Sequence, residues 1–420
     1  MKTASHSLDR LLDWFRITTV LRAVGIVGIV GASVACGEPA SRTDVPPPKA
    51  VLDEGVLHEI LDEPDAFVRA QRLSMLAPML GPAAIPHIQE VLEDDAVNVG
   101  PAEMELLVRA WALHDPSAAF GWSTGTPHIA VQLAALIPAI EELAKRDPKR
   151  AWEQVLPMTM LSTVNSRAMQ VAFVRGWFDS GKPGLVDWIR DLGVGFERQR
   201  ALRVFARRKI RRDGEEAAIR WAESLPDEPH KFKLNAFRQL GAELAVWNPE
   251  AAKAFCEAHC DGPFGDGVPH FIARRWAQRE GQAAVEWVAK VVPPGRDRDR
   301  GVRDAYGRWL RKSPEEADAW ASKLGLENLG PEFSSVAELH ALRLTRKDVD
   351  EALAWASKVR DPERRDLVYV RVLRQWRSQD NEAALAWLET ADISDEARAK
   401  ASLPMDMPLV IKPDDAEYDD

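Results

Sequence analysis

At 420 residues the chain exceeds the ~250–300 at which a single hydrophobic core stops growing, so it comprises several domains or a repeat array. Hydrophobic residues make up 46%, and fifteen Trp against three Tyr are too much indole to leave in water, so the Trp belong to a core. The formal charge of -10 excludes a general polyanion binder, because affinity for a phosphate backbone rests on an excess of Lys and Arg that release counterions.

Residues 1–22 carry Lys2, Arg10, Arg16 and Arg22 against Asp9 and Asp13, and the uncharged thirteen-residue run AVGIVGIVGASVA from Ala23 to Ala35 then leads to Cys36. A charged stretch before a short apolar one predicts a cleaved export signal over residues 1–35. The run is shorter than the ~20 apolar residues a bilayer span needs, and Arg22 blocks its extension backwards. Removing the signal takes away a net +2 and leaves about -12 on the mature chain. Ser33-Val34-Ala35-Cys36 resembles the lipobox of bacterial lipoproteins, in which small residues admit the peptidase and the Cys thiol receives a diacylglyceryl group; Ser33 departs from the usual Leu. The resemblance implies that Cys36 is lipidated and anchors the protein to a membrane of a bacterial envelope, on its periplasmic or surface side. Simple secretion and a buried structural Cys are the alternative readings. Residues 36–50, with GEPASRTDVPPPKA after Cys36, have the composition of a flexible Pro-rich tether.

From residue 51 the pattern is helical and repetitive. Gly81-Pro82 followed by Ile88 marks a divergent first copy, as the capped end of an array requires. Beyond it, Trp pairs eleven residues apart recur at Trp111/Trp122, Trp177/Trp188, Trp276/Trp287, Trp309/Trp320 and Trp376/Trp387. Leu143, Ile210, Leu244 and Leu344 fill the intervening first positions, so that successive first members stand 32 to 35 residues apart. The second column is then aromatic in eight of nine copies, Gln154 being the exception. Three residues before it stand Ala119, Ala151, Leu185, Ala218, Ala252, Ala284, Ala317, Ala352 and Ala384. Positions i and i+3 share a helix face, so a small residue beside a large ring lets a neighbouring helix approach while the ring fills the space alongside.

Asp115-Pro116, Asp147-Pro148, Asn248-Pro249 and Ser313-Pro314 each place an N-cap residue before a first-turn Pro, and breakers such as Val292-Pro293-Pro294-Gly295 follow the second helix. No convincing alternation of β-branched residues occurs, so no sheet is expected. The expectation is an all-α fold: a right-handed α-α superhelix, or solenoid, of about nine to ten two-helix repeats of ~33 residues over residues 51–403. Residues 404–420, with five acids among the last seven residues, read as a disordered tail. The period and the Ala-to-aromatic spacing resemble tetratricopeptide repeats, although the first helices lack that family's W-x2-L-G-x2-Y phrase and carry runs such as Arg371–Trp376, RVLRQW. HEAT-like units are similar but longer.

Gly176–Lys182, GWFDSGK, matches the start of a phosphate-binding P-loop, but Pro183 replaces the Ser or Thr that holds magnesium and no strand precedes it. Asp297-Arg298-Asp299-Arg300-Gly301 resembles a calcium loop but lacks the third acidic ligand and has Arg308 near the position of the closing Glu. Cys256 and Cys260 stand one helical turn apart around His259. The favoured reading is two buried thiols; a disulfide is within reach, and a zinc site lacks a second ligand pair even with His270 nearby. The nine His are scattered and no nucleophile-and-base phrase is legible, so neither an enzyme nor a bound cofactor or metal is expected.

One polar column remains: Arg109, Arg175, Arg208, Arg274 and Arg374 lie two residues before the first large position, with Arg275, Arg308 and Arg343 one step on. In a solenoid such a column lines one surface. It reads either as an interaction ladder for an acidic partner or, the favoured reading, as cations paired to carboxylates of adjacent repeats near Glu215, Glu250, Glu315, Asp350 and Glu382, with stems on Trp faces. The basic stretch Arg198–Arg212 is read as a solvated helix face and not as a nucleic-acid site, given the export signal and acidic total. These features predict a membrane-tethered envelope scaffold that binds another envelope protein or peptide, with no nucleic-acid partner. The alternative is an accessory or non-obvious enzyme of envelope or peptidoglycan metabolism, like the helical superstructures that wrap lytic transglycosylases.

Overall fold

The computed structural model describes residues 55–94, 99–125, 129–161, 163–404 and 407; the described residues are helical with no strand. The signal segment, Cys36, the tether and the tail, apart from Pro404 and Met407, lie outside the described residues. In chain order the helices are α1 (Val56–Leu61), α2 (Ala66–Leu76), α3 (Ile85–Glu93), α4 (Pro101–His114), α5 (Pro116–Gly125), α6 (Ile129–Arg146), α7 (Pro148–Leu161), α8 (Thr163–Ser180), α9 (Leu185–Asp191), α10 (Phe196–Asp213) and α11 (Glu215–Glu223). There follow α12 (His230–Trp247), α13 (Pro249–His259), α14 (Val268–Trp276), α15 (Gly281–Val291), α16 (Arg296–Lys312), α17 (Pro314–Leu324), α18 (Ser334–Leu344), α19 (Val349–Ser357), α20 (Pro362–Arg377), α21 (Asn381–Thr390) and α22 (Asp395–Ser402).

From α4 onward each even-numbered helix packs on the odd-numbered helix after it and on the next even-numbered helix. We call these the first and second helices of each hairpin. First helices therefore form a continuous layer, whereas among the second helices α15 and α17 are the pair with more than marginal mutual contact.

The starts of the helices follow from side-chain capping. Asp115 accepts from the Ala118 amide at 3.0 Å, Asp147 from Arg150 at 3.1 Å and Asn248 from Ala251 at 3.1 Å, each supplying an acceptor to an N–H with no intrahelical partner. Ser313 makes no such bond, so at α17 Pro314 alone carries the start signal. Asp348, Asp361 and Asp380 cap α19, α20 and α21 without a following Asn-Pro or Asp-Pro phrase in two of the three cases.

The small column is the innermost part of the core. Ala119, Ala151, Ala218, Ala252, Ala284, Ala317 and Ala352 are wholly buried, because a methyl group is all that the closest helix approach admits. The paired Trp touch within their hairpins, with ring centroids 5.9 Å apart for Trp111/Trp122, 6.1 Å for Trp177/Trp188 and Trp276/Trp287, and 5.6 Å for Trp309/Trp320. Eleven residues is thus the separation that brings a first-helix ring back against a second-helix ring across the turn. The aromatic column is less interior than its recurrence suggests. Phe255 and Trp355 are buried, but Trp122, Trp188, Trp221, Trp287, Trp320 and Trp387 are half-buried, each ring filling the flank of the hairpin beside its Ala. Where Gln154 breaks the column, Trp152 takes the space, 4.9 Å from both Phe173 and Trp188.

Two glycines mark still closer approaches. A Cβ at Gly176 on α8 would overlap the Glu141 carbonyl oxygen of α6, and one at Gly281 would overlap the Trp309 ring.

Candidate functional site: a cationic cleft on the first helices

Most of the sequence column of arginines is tied down. Arg109 lies 2.9 Å from Glu141 and 3.1 Å from Glu105, Arg175 lies 3.4 Å from Glu141, and Arg208 lies 2.8 Å from Asp179. Burial is the largest influence and works against the charge on Arg109, but Glu141 and Glu105 together outweigh it and hold the guanidinium above its ordinary range. Arg374 donates to the carbonyls of Pro404, at 3.3 Å, and Met407, at 2.6 Å. The carboxylates that hold these cations are not those expected from the sequence. Glu250 instead pairs with Lys253 within α13, and Glu215 accepts from Asn248. The partners stand on neighbouring first helices, because it is the first helices that lie against one another.

The same arrangement recurs with buried glutamates that the sequence does not single out. Glu103 accepts from Arg69 at 3.0 Å, Glu243 takes Arg207 at 2.8 Å and Arg275 at 3.0 Å, and Glu338 takes Arg303 and, at 3.4 Å, Arg364. Glu141, Glu243 and Glu338 each sit between arginines of the preceding and following first helices, and Glu243 is wholly buried. A buried carboxylate is tolerated at these places because it is neutralised from both sides.

Arg274 behaves differently, and its surroundings form the site. On α10, Ala201, Leu202, Phe205, Ala206 and Ile210 go to the core, while Arg200, Arg203 and Arg207 recur at i, i+3 and i+7 and share an adjacent stripe. Arg207 is consumed by Glu243. One turn earlier on α12 stands Gln239, a neutral amide four residues before that glutamate. Arg200, Arg203 and Gln239 line a cleft of about 120 Å³ together with Arg167 of α8, Arg274 of α14, Gln199 and Phe196. Among the described residues no carboxylate lines the cleft. Phe196 stands 54% exposed on the rim, whereas Gln239 is only 5% exposed at the floor.

The cations of the cleft repel one another. Burial and then Arg275, with Arg167 and Arg274 behind it, push the Arg203 guanidinium down to about 10, and Glu243 only partly opposes them. Burial likewise lowers Arg274, with Asp304 opposing and Arg275, Arg311 and Arg300 adding to the shift. Arg308 is lowered by burial and by Arg311, Arg274 and Arg275. All remain cations at neutral pH, so the region is positive inside an acidic protein. Among the described residues no carboxylate oxygen comes within ion-pair distance of Arg203, Arg274 or Arg308. Arg200 is held by a neutral acceptor, Gln170 Oε1, at 3.0 Å.

Cys256 and Cys260, favoured as thiols, are joined by a disulfide at the end of α13, with a Cα separation of 4.8 Å. GWFDSGK is the end of α8 and the left-handed Gly181 after it, not a loop entering a helix; Lys182 donates to the Arg146 carbonyl at the end of α6, tying this turn to that of the preceding hairpin. The Asp297–Gly301 segment is the first turn of α16. Among the described residues no three His, Cys, Asp or Glu side chains converge as metal ligands, and no helix is long and apolar enough to cross a membrane.

No family model, curated protein or solved structure matches the chain.

Proposed function

We propose that the chain is an exported lipoprotein, anchored through Cys36, whose hairpins form a right-handed α-solenoid of about nine to ten repeats of ~33 residues and present their first-helix face to another envelope protein or peptide bearing acidic groups. Two observations support the architecture: the first helices pack continuously on one another, and the second helices have mostly marginal contact. A stack that is tight on one side and open on the other curves with the tight side inward. First helices then line a concave surface, the kind of extended surface on which solenoids bind.

The observation that carries the functional reading is the row formed by Arg203 of α10, Arg274 of α14 and Arg308 of α16, cations on three of four consecutive first helices that have no carboxylate at ion-pair distance among the described residues. Side chains needed only for stacking are paired, as Arg109 and Arg207 are. Unpaired, mutually repelling arginines are stabilised by an anion from outside. Changing Arg203, Arg274 and Arg308 together to Gln is expected to leave the helical circular dichroism intact and to abolish salt-sensitive capture of the partner from solubilised envelopes. Retained capture with an unaltered salt response contradicts the reading.

A further inference from the structure

We propose that the cleft of Arg167, Arg200, Arg203, Gln239 and Arg274 is a binding site for one phosphoryl group. The inference shares Arg203 and Arg274 with the proposed docking face but is tested with inorganic phosphate alone, so either reading can fail without the other.

The cleft is built before any ligand arrives. Gln239 is 5% exposed, and among the described residues its amide makes no hydrogen bond, although it lines the cavity. Its amide atoms open into the cavity and not into closed core, so a ligand oxygen can take the place of water there. Gln170, itself buried, accepts from Arg200 at 3.0 Å and donates to the Glu197 carbonyl at 3.2 Å, which fixes the guanidinium at the edge of the cleft. Arg274 lies with its guanidinium carbon 5.5 Å from the Phe271 ring centroid, which leaves its N–H edge for a ligand.

The geometry favours phosphoryl over carboxylate. The donors come from α8, α10, α12 and α14, so they converge from several directions. A planar carboxylate meets one guanidinium fork with its two oxygens, whereas a tetrahedral dianion offers three oxygens to donors on different helices. Four guanidiniums without a lining carboxylate also match a double charge better than a single one. At about 120 Å³ the cavity takes a small oxyanion and not a nucleotide. Phe196, exposed on the rim, offers an apolar ledge to whatever carries the group.

The contrast one turn away shows how the site can be closed. Glu243 supplies Arg207 and Arg275 with an internal anion. Gln239→Glu would do the same for Arg203 and Arg274 at almost unchanged volume, so it is expected to raise the melting temperature and to remove the site. The test is titration calorimetry and thermal shift of the full mature chain with inorganic phosphate, against succinate and acetate at equal ionic strength. Wild type is expected to bind phosphate and to be stabilised by it, with at least tenfold weaker binding of both carboxylates. Q239E and R203Q are expected to lose phosphate binding at least tenfold while keeping wild-type circular dichroism. Vesicles containing phosphatidic acid distinguish the source: a headgroup ligand binds wild type over Q239E on the vesicle as well, and a free phosphate ligand binds only in solution. Succinate binding as tightly as phosphate, or phosphate stabilising Q239E as much as wild type, overturns the proposal.

Discussion

Replacing Glu243 by Gln removes a charge without changing the volume of a side chain that is wholly buried between two arginines. Arg207 and Arg275, 2.8 and 3.0 Å away on α10 and α14, would then face each other and Arg203 across a neutral amide. Breaking a buried pair from one side costs about 3–5 kcal/mol. Here the lower end applies, about 3 kcal/mol, because Arg207 is 39% exposed and regains water as its partner is lost. In a stack of hairpins the loss is local before it is global, so a single melting temperature dilutes it. Amide hydrogen exchange resolves it: 3 kcal/mol corresponds to roughly 100-fold faster opening of α10, α12 and α14. Amides in α4 and α20 should be unaffected. Exchange in α12 within threefold of wild type would mean that the glutamate is replaceable by solvent, refuting the view that these carboxylates bolt neighbouring hairpins together.

Gly176→Ala sets a helix-propensity gain of ~1 kcal/mol against overlap with the Glu141 backbone oxygen, and a net loss of about 1–3 kcal/mol in denaturant unfolding is expected; a stabilised variant would show that α6 and α8 can separate freely. Trp355→Ala should cost about 3–5 kcal/mol, and Trp287→Ala roughly half as much because its ring is half-buried; equal losses would contradict the burial difference. His340 is lowered by burial, with Asp318 and Glu351 opposing. A base held neutral in the folded state contributes stability that is complete above its unfolded value near 6.5 and is lost as pH falls below it. Urea midpoints should therefore decline more steeply from pH 7 to pH 5 in wild type than in H340Q, and parallel declines would exclude the histidine as the cause. Cys36→Ala should release the protein from the membrane to the soluble fraction, whereas retention after a high-salt wash would mean that Ala23–Ala35 is an uncleaved anchor.

The all-helical fold was legible because the hairpins share a set of punctuation marks, several of which recur in most copies. The Asp-Pro and Asn-Pro starts, the buried Ala and the Trp pair all recur at a fixed distance, and local chemistry suffices to place them. How deep the aromatic column lies was not legible, since a recurring Trp has the same spacing whether its ring is interior, as at Trp355, or on the flank, as at Trp287. Of the cleft only Arg274 was singled out by the repeat column. The cleft residues stand at different offsets from the repeat marker: Arg274 two before Trp276, but Arg203 seven before Ile210 and Arg167 ten before Trp177. Alignment by the marker gathered Arg109, Arg175 and Arg208, which are paired, and passed over Arg167 and Arg203. The basic run Arg198–Arg212 held the only other sequence signal, an i, i+3, i+7 stripe of Arg200, Arg203 and Arg207 that reads as an ordinary solvated face until α12 and α14 are laid beside it.

The claim that partners bind along the first helices is tested most directly by photo-crosslinking in the living cell. A benzophenone side chain placed at Arg167 or Phe196, both exposed on first helices, samples the proposed face; the same group at Glu216 or Glu257, exposed on second helices, samples the other. The account predicts a discrete adduct from the first pair that disappears when Arg203, Arg274 and Arg308 are changed to Gln, and none from the second pair. Adducts from Glu216 and Glu257 alone would contradict it and move the binding surface to the second helices.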